Sequence, residues 1–284
     1  MAADSPTIRR RQLMNALKRL RESAGLTQER AAEQLDWHHT KIFRIETGRT
    51  GPHPNDVRAM LDVYGVTDKA ERDALIQLAK DARKRGWWYS YRDVLPSKYE
   101  SYIGMEAEAT SIREFHVAAI PGLLQTEGYA TAFIRGGPLE LDEDEIRRRV
   151  EVRMTRQHIL RGPDRPQLWV ILDEAAIHRA VGGPAVMRGQ LEHLLAVARG
   201  RTTLQLVPYS VGAHPGATGN FSLLSFPESS DADAAYVEIV NGNLWIDRAE
   251  EVERFATAFD HLRAVAVSPE DTRAMLIAAL NEYK

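Results

Sequence analysis

The residues best suited to chemistry lie in one short stretch, DWHHTKIFRIETG, which spans residues 36–48. Ile42 and Ile45 stand three positions apart, so a helix over this stretch would turn both of them inward. His39, Thr40 and Arg44 would then occupy the outer face. Arginine donates two hydrogen bonds to a guanine edge when a helix lies in the major groove of DNA. The stretch therefore predicts a base-reading helix, the alternative being an ordinary solvated helix face.

The adjacent histidines of this stretch also raise the question of a metal site. Neighbouring residues on a helix point about 100° apart, so His38 and His39 would not bind one ion together. The sequence places no third histidine or acidic ligand close enough to complete a tetrahedral site. We therefore predict no metal ion and no cofactor.

The residues before this stretch predict two helices that would hold it in place. Leu13, Leu17 and Leu20 recur at helical spacing and give the first helix an apolar face. Thr27 offers a hydroxyl to the N-terminus of a second helix over TQERAAEQL. Asp36 then stands where a tight turn is needed, and aspartate tolerates left-handed backbone better than most residues do. The pattern predicts a helix-turn-helix.

Charge and composition narrow the class of protein. The chain has 284 residues and a net charge of −3, but residues 1–86 carry 17 basic against 12 acidic residues, while the remainder carries 20 against 28. A basic part joined to an acidic part fits nucleic-acid binding by the first. Cysteine is absent, which excludes disulfides and thiol catalysis. The N-terminus has no apolar signal core and no apolar run is long enough to cross a membrane, so we expect a cytoplasmic protein.

The sequence changes character near residue 87, which predicts a domain boundary there. Two further helical patterns, NDVRAMLDVYGV and DKAERDALIQLAKDARKR, complete a helical domain over residues 1–86. The segment GWWYSYRDVLPSKYESY then brings an aromatic cluster. We interpret this cluster as packing between domains, the alternative being a dimer or partner surface. Residues 87–284 form the second domain.

The second domain combines strand and helix patterns and predicts a mixed α+β fold. TEGYATAFIRG, DEDEIRRRVEVRMTRQHILRG and AVMRGQLEHLLAVAR are helical in pattern, as are two segments after residue 248. SIREFHVAAIPGLL has an extended pattern, and QLWVILDEAAI begins as a buried strand. TTLQLVPYS, NFSLLSF and AAYVEIV also have strand patterns, and the last two are expected to pair antiparallel. The chain is thus α followed by α+β.

Two groups of residues in this domain raise the question of catalysis. Asp173, Glu174 and His178 carry acid–base groups, but the simpler interpretation is a strand end that caps the next helix. Residues 212–220 form a glycine-rich loop that is either a flexible connection or a ligand or partner contact; its candidate residues are His214, Gly216, Gly219 and Asn220. Nucleophile elbows, Walker loops and dinucleotide fingerprints are absent from the sequence. We expect no enzyme and assign no catalytic residue.

The stretch LTQERAAEQLDWHHTKIFRIETG resembles the xenobiotic-response-element (XRE) family of helix-turn-helix repressors, in register from Leu26 to Gly48. The resemblance implies a lambda-repressor-like domain of five helices. It implies that His39, Thr40 and Arg44 face bases. It also implies contacts with phosphates or the groove edge by Gln28, His38, Lys41, Thr47 and Arg49. Asp36 departs from the family's turn glycine, and His38 departs from its usual serine or threonine N-cap.

The second domain resembles the domain of unknown function that follows the helix-turn-helix in many actinobacterial regulators, including the WhiJ-like proteins. The matching segments include PGLLQTEGYA, RVEVRMTRQHIL, LDEAAIHRAVGG and LQLVPYSVGAHPGATGNFSLLSFPE. The resemblance implies an antitoxin-like regulator encoded beside a small acidic partner protein, and it names no ligand.

These observations predict a transcriptional regulator that binds double-stranded DNA. One recognition helix spans only a few base pairs, so we expect a homodimer on a near-palindrome. The second domain would sense an unknown small-molecule effector or bind a small partner protein. The alternative is a small-molecule-binding or enzymatic second domain that the helix-turn-helix anchors to DNA.

Overall fold

The chain divides between Tyr89 and Ser90 into two units, each with its own core. The computed structural model describes residues 6–84, 86–138, 140–198, 200–227, 233–239 and 242–283. None of the helices in these ranges is long and apolar enough to cross a membrane.

The first unit is helical. Its helices are α1 (Pro6–Ser23), α2 (Gln28–Leu35), α3 (His39–Glu46), α4 (Pro54–Val63) and α5 (Lys69–Asp81). Leu13 and Leu17 from α1 meet Ile42 and Ile45 from α3 in one core, and all four are at most 1% exposed. The inward face predicted for α3 is therefore confirmed. Since α2 and α3 have only eight residues each, this packing rather than intrinsic helix propensity must stabilise them.

The ends of α2 and α3 follow from local side chains. Thr27 caps α2 by accepting a hydrogen bond from the amide of Arg30 at 3.2 Å. Asp36 then adopts the left-handed conformation with a φ of 53°, and it is the one non-glycine residue with positive φ in the described ranges. His38 caps α3 through its Nδ1, which lies 3.4 Å from the amide of Thr40 and 2.8 Å from its hydroxyl. Asp36 therefore forms the turn and His38 forms the N-cap, although both residues are unusual at these positions.

The second unit is a six-stranded mixed sheet with helices around it. Its strands are β1 (Ser111–His116), β2 (Gln167–Asp173), β3 (Thr203–Val207), β4 (Phe221–Ser225), β5 (Ala234–Ile239) and β6 (Gly242–Ile246). Its helices are α6 (Ser97–Glu106), α7 (Glu127–Arg135), α8 (Glu143–Arg156), α9 (Ala175–His178), α10 (Pro184–Val197), α11 (Ala249–Val265) and α12 (Pro269–Glu282). An all-helical region followed by an α+β region is therefore confirmed.

The strand order is β3-β2-β1-β4-β5-β6. The pairs β1–β2 and β2–β3 are parallel, and the pairs β1–β4, β4–β5 and β5–β6 are antiparallel. The predicted antiparallel pairing of β4 with β5 is thus confirmed. Parallel neighbours need long crossovers, and α7 and α8 lie between β1 and β2 in the chain while α9 and α10 lie between β2 and β3.

The two faces of β1 have different chemistry, because side chains alternate along a strand. Phe115 points to one face, where it packs in a core with Phe259 of α11. Glu114 belongs to the opposite face and is only 3% exposed. The register places Glu114 opposite Ser222, and Ser222 opposite Tyr236, so these three polar side chains lie in a row across β1, β4 and β5.

Some elements are missing from the sequence-based prediction. Helix α6 has no clear apolar stripe, and β6, GNLWI, has only partly buried or exposed residues. The Asn-Gly pair at 241–242 is a hairpin signal that would have indicated β6, although residues 240 and 241 lie outside the described ranges. In the aromatic segment, Trp88 and Tyr102 are buried, and the domain-packing role of the cluster stays a prediction.

Candidate nucleic-acid interface

The outer face of α3 carries the three residues predicted to face bases. His39, Thr40 and Arg44 are all exposed. Within the described ranges, the Arg44 guanidinium has no hydrogen-bond or ion-pair partner. The Thr40 hydroxyl bonds to His38, and a hydroxyl can still form a second bond. The geometry therefore leaves this face available to a ligand with hydrogen-bonding edges.

The residues predicted to contact phosphates fall into two groups. The Lys41 ammonium lies 2.8 Å from Asp56 Oδ1 and 3.6 Å from the centre of the Trp37 ring, so an internal carboxylate already balances its charge. The Thr47 hydroxyl donates to the carbonyl of Phe43 at the end of α3. Both residues have structural partners with which a phosphate would have to compete.

Arg49 and Gln28 have more freedom to contact a phosphate. The guanidinium of Arg49 lies 5.3 Å from the centre of the exposed Phe43 ring. Gln28, at the first position of α2, donates one amide hydrogen to Glu46 Oε2 at 2.7 Å. The side-chain amide has a second hydrogen, so this bond orients Gln28 without using all of its donors.

A buried ion pair between α1 and α3 stabilises α3, and the sequence does not predict this pair. Arg21 of α1 donates to both carboxylate oxygens of Glu46, from Nε at 2.6 Å and from Nη2 at 2.9 Å. Its Nη1 also donates to the carbonyl of Leu26 at 2.7 Å. The hydrogen bond and charge of Glu46 hold the pKa of Arg21 above its usual range, against the opposing effect of burial. This bidentate pair joins α1 to the end of α3.

Glu46 could have been found from its spacing. It lies one position after Ile45 and four after Ile42, so it shares their inward side of α3. A charged residue at a core position needs a partner of opposite charge, and the structure shows that this partner is Arg21, which is buried near the end of α1. Gly48 follows with a φ of +71°, and a Cβ there would lie 2.8 Å from Met14 Sδ. The start and end of α3 are thus both fixed.

The candidate loop of the second unit is held by specific contacts. His214 Nε2 lies 3.2 Å from Asp173 Oδ2 at the end of β2. A Cβ on Gly216 would lie 2.1 Å from the Phe115 ring, and Asn220 Oδ1 accepts from the amide of Val117 at 2.8 Å. Gly219 has a φ of +147°. The structure therefore fixes this loop against β1 and β2 rather than leaving it a flexible connection.

The three acid–base residues that precede this loop, Asp173, Glu174 and His178, form contacts that stabilise the fold. Asp173 Oδ1 accepts from the amide of Ala175 at 2.8 Å and so caps α9. Glu174 Oε2 accepts from the amide of Tyr209 at 2.6 Å. His178 Nδ1 lies 3.2 Å from Glu282 Oε2. In the part of the chain that the structure describes, no set of three or more histidine and acidic side chains is placed to hold a metal ion.

The helix-turn-helix geometry of α2 and α3, together with the exposed polar face of α3, defines a DNA-binding class of protein. A model of a helix-turn-helix domain matches residues 12–75. A second model, described as "Domain of unknown function (DUF5753)", matches residues 99–278. The second match covers more than half of the chain, which therefore belongs to the DUF5753 family. No curated protein and no solved structure matches the chain.

Proposed function

We propose that this protein is a sequence-specific transcriptional regulator of the XRE type, with α3 in the major groove of its operator. The observation that carries the proposal is the exposed face of His39, Thr40 and Arg44 on a helix that the Arg21–Glu46 pair anchors. In helix-turn-helix complexes the first turns of the second helix approach base edges, and the preceding helix crosses the phosphate backbone. Gln28 at the start of α2 is suited to that crossing.

The proposal includes a homodimer, because one α3 contacts too few base pairs for specific binding. Half-sites on a near-palindrome would lie about 34–36 Å apart, or a multiple of that distance. We further propose a cytoplasmic regulator of the WhiJ-like type, whose second unit senses a small molecule or binds a small acidic protein encoded beside it. A catalytic second unit is the less favoured alternative, since its acidic residues and His214 already serve as caps and loop anchors.

A DNA titration tests the proposal. The full chain is titrated with fragments from upstream of its own and neighbouring genes, and with scrambled DNA, at two salt concentrations. We expect salt-sensitive binding to one fragment that is at least about 10³-fold tighter than binding to scrambled DNA. Weak and equal binding to every fragment, by protein with or without the neighbouring small protein, would contradict sequence-specific recognition.

Arg44→Ala should reduce specific binding more than non-specific binding. A bidentate contact with a base contributes about 1–3 kcal/mol of discrimination, so we expect operator affinity to fall about 5- to 150-fold. Fluorescence anisotropy with operator and scrambled DNA measures both constants. Lys69→Ala, which removes one positive charge from α5, is the matched control. Equal losses on both DNAs would show that Arg44 does not read bases.

Gln28→Ala should weaken binding to all sequences by a similar factor, because phosphate contacts carry no direct sequence information. The same titrations measure this effect. Gln34→Ala, on an exposed position of the same helix, controls for the loss of a glutamine and should leave both affinities unchanged. A loss restricted to the operator would assign Gln28 to base recognition instead.

A further inference from the structure

The second unit contains a cavity of about 660 Å³ on the polar face of its sheet. This volume lies within the range of about 300–1,000 Å³ that small-molecule sites occupy. Glu114, Ser222 and Tyr236 form its floor, and Arg153 and Arg156 of α8 contribute to its wall. Asn220, from the glycine-rich loop over residues 212–220, also lines it.

Three residues that line this cavity each have a buried polar atom with no hydrogen-bond partner within the described ranges. These atoms are Glu114 Oε2, His116 Nε2 and the Tyr236 hydroxyl oxygen. Burial raises the pKa of the Tyr236 hydroxyl, and Asn243 opposes this effect in part. About nine in ten buried polar atoms in proteins are paired, so three unpaired atoms around one cavity call for an explanation. A ligand that bonds to all three would supply it.

The charge of the floor indicates the chemistry of that ligand. Burial alone would raise the pKa of Glu114, but His116, the charge of Arg156 and the Ser222 hydroxyl outweigh it, so the pKa lies below its ordinary value. The carboxylate is therefore ionised near neutral pH. Oε1 accepts from the hydroxyls of Tyr102 at 3.3 Å and Ser222 at 3.1 Å. Oε2 has only His116 Nε2 at 3.7 Å, too far for a hydrogen bond.

Arg156, the arginine whose charge acts on Glu114, does not donate a hydrogen bond to Glu114 Oε2. Arg156 donates from Nε and Nη2 to the two oxygens of Glu106, at 2.8 Å and 2.6 Å, so its charge is already paired. Arg153 donates to the neutral side-chain amide of Gln125 at 2.8 Å. Its guanidinium could therefore also donate to a hydrogen-bond acceptor on another part of the ligand. Tyr99, Tyr102 and Phe133 add aromatic surface to the cavity, and aromatic faces attract cations.

We propose that this cavity binds a small organic molecule through a cationic amino or amidino group, which donates to Glu114 Oε2 and lies beside Tyr236. The assignment deepens the proposed recognition role of the second unit and rests on it for the biological meaning of binding. Cationic nitrogen donors form strong hydrogen bonds with a desolvated carboxylate. An amidinium offers several N–H donors, enough for the carboxylate and a neighbouring acceptor.

Calorimetric titration of the full chain with benzamidine tests the assignment. We expect saturable binding at one site per chain, and no binding of benzoate, which has the same shape and the opposite charge. Glu114→Gln keeps the shape of the side chain and removes its charge, so it should weaken benzamidine binding at least about 10-fold. Glu253→Gln, on α11 across the sheet, is the matched control and should leave binding unchanged.

Tyr236→Phe keeps the test decisive if Glu114→Gln fails to fold. It removes a hydroxyl that has no hydrogen-bond partner in the described ranges, so the fold should tolerate it, and benzamidine binding should weaken about 3-fold or more. Absence of saturation with wild-type protein, or equal binding by wild type and both variants, would overturn the assignment. Operator titrations without benzamidine separate the two ideas: intact DNA binding leaves the proposed function standing when the cavity assignment fails.

Discussion

Glu46→Ala should unfold or strongly destabilise the first unit and abolish binding to every DNA fragment. Arg21 is only 6% exposed, and the substitution would leave its guanidinium without its bidentate partner. It would also remove the acceptor that orients Gln28. Breaking a buried ion pair by removing one partner costs about 3–5 kcal/mol, which is a large part of the stability of a small domain. Amide hydrogen exchange followed by mass spectrometry measures the effect, as faster exchange of peptides from α1–α5.

Two further variants determine whether the loss comes from the uncompensated charge. Glu33→Ala removes a carboxylate from an exposed pair with Arg30 and should change stability by less than about 1 kcal/mol. Replacing both buried partners with apolar residues, as in Arg21→Met with Glu46→Leu, should recover much of the stability. Unchanged exchange in Glu46→Ala would show that the pair does not support α3.

Glu106→Ala should have an effect of similar size on the second unit. Arg156 is 5% exposed and donates two hydrogen bonds to Glu106, which is 1% exposed. The substitution would leave a buried guanidinium without its hydrogen-bonded anion, at a cost of about 3–5 kcal/mol. The largest increase in exchange should occur in peptides from α6, β1 and α8, and the apparent unfolding temperature should fall.

The matched control for this prediction is Glu143→Ala. Glu143 forms an exposed pair with Arg135, and surface pairs of this kind contribute about 0–1 kcal/mol. Its exchange pattern should match that of the wild type. If Glu106→Ala and Glu143→Ala destabilise the unit equally, the Glu106–Arg156 pair is not a structural support of the cavity wall.

Local physics explains which parts of the fold could be predicted from the sequence. The leucine and isoleucine spacings of α1 and α3, the Thr27 cap and the turn at Asp36 each depend on residues within a few positions of one another. The same holds for α7 and α8, whose caps are Thr126 and Asp142. Helix α6 lacks such a local signal and is missing from the prediction, whereas β6 is missing although the Asn-Gly pair before it is a hairpin signal.

The functional surfaces divide in the same way. The exposed face of α3 follows from helical periodicity alone, so the sequence determined the candidate base contacts and the order of an all-α region before an α+β region. The buried pair under α3 joins residues 25 positions apart, and the Glu106–Arg156 pair joins residues 50 apart. Only the tertiary structure could decide these partners.

The cavity is the clearest case of a feature that only tertiary structure decides. Glu114, Ser222 and Tyr236 are far apart in sequence, and strand register alone brings them into one row. A single strand pattern shows which side chains share a face, but not which strand lies beside it or which helix covers it. The sequence by itself therefore determined the exposed polar face of α3. The tertiary structure decided how that helix is anchored and where the second unit has space and unpaired polar atoms for a ligand.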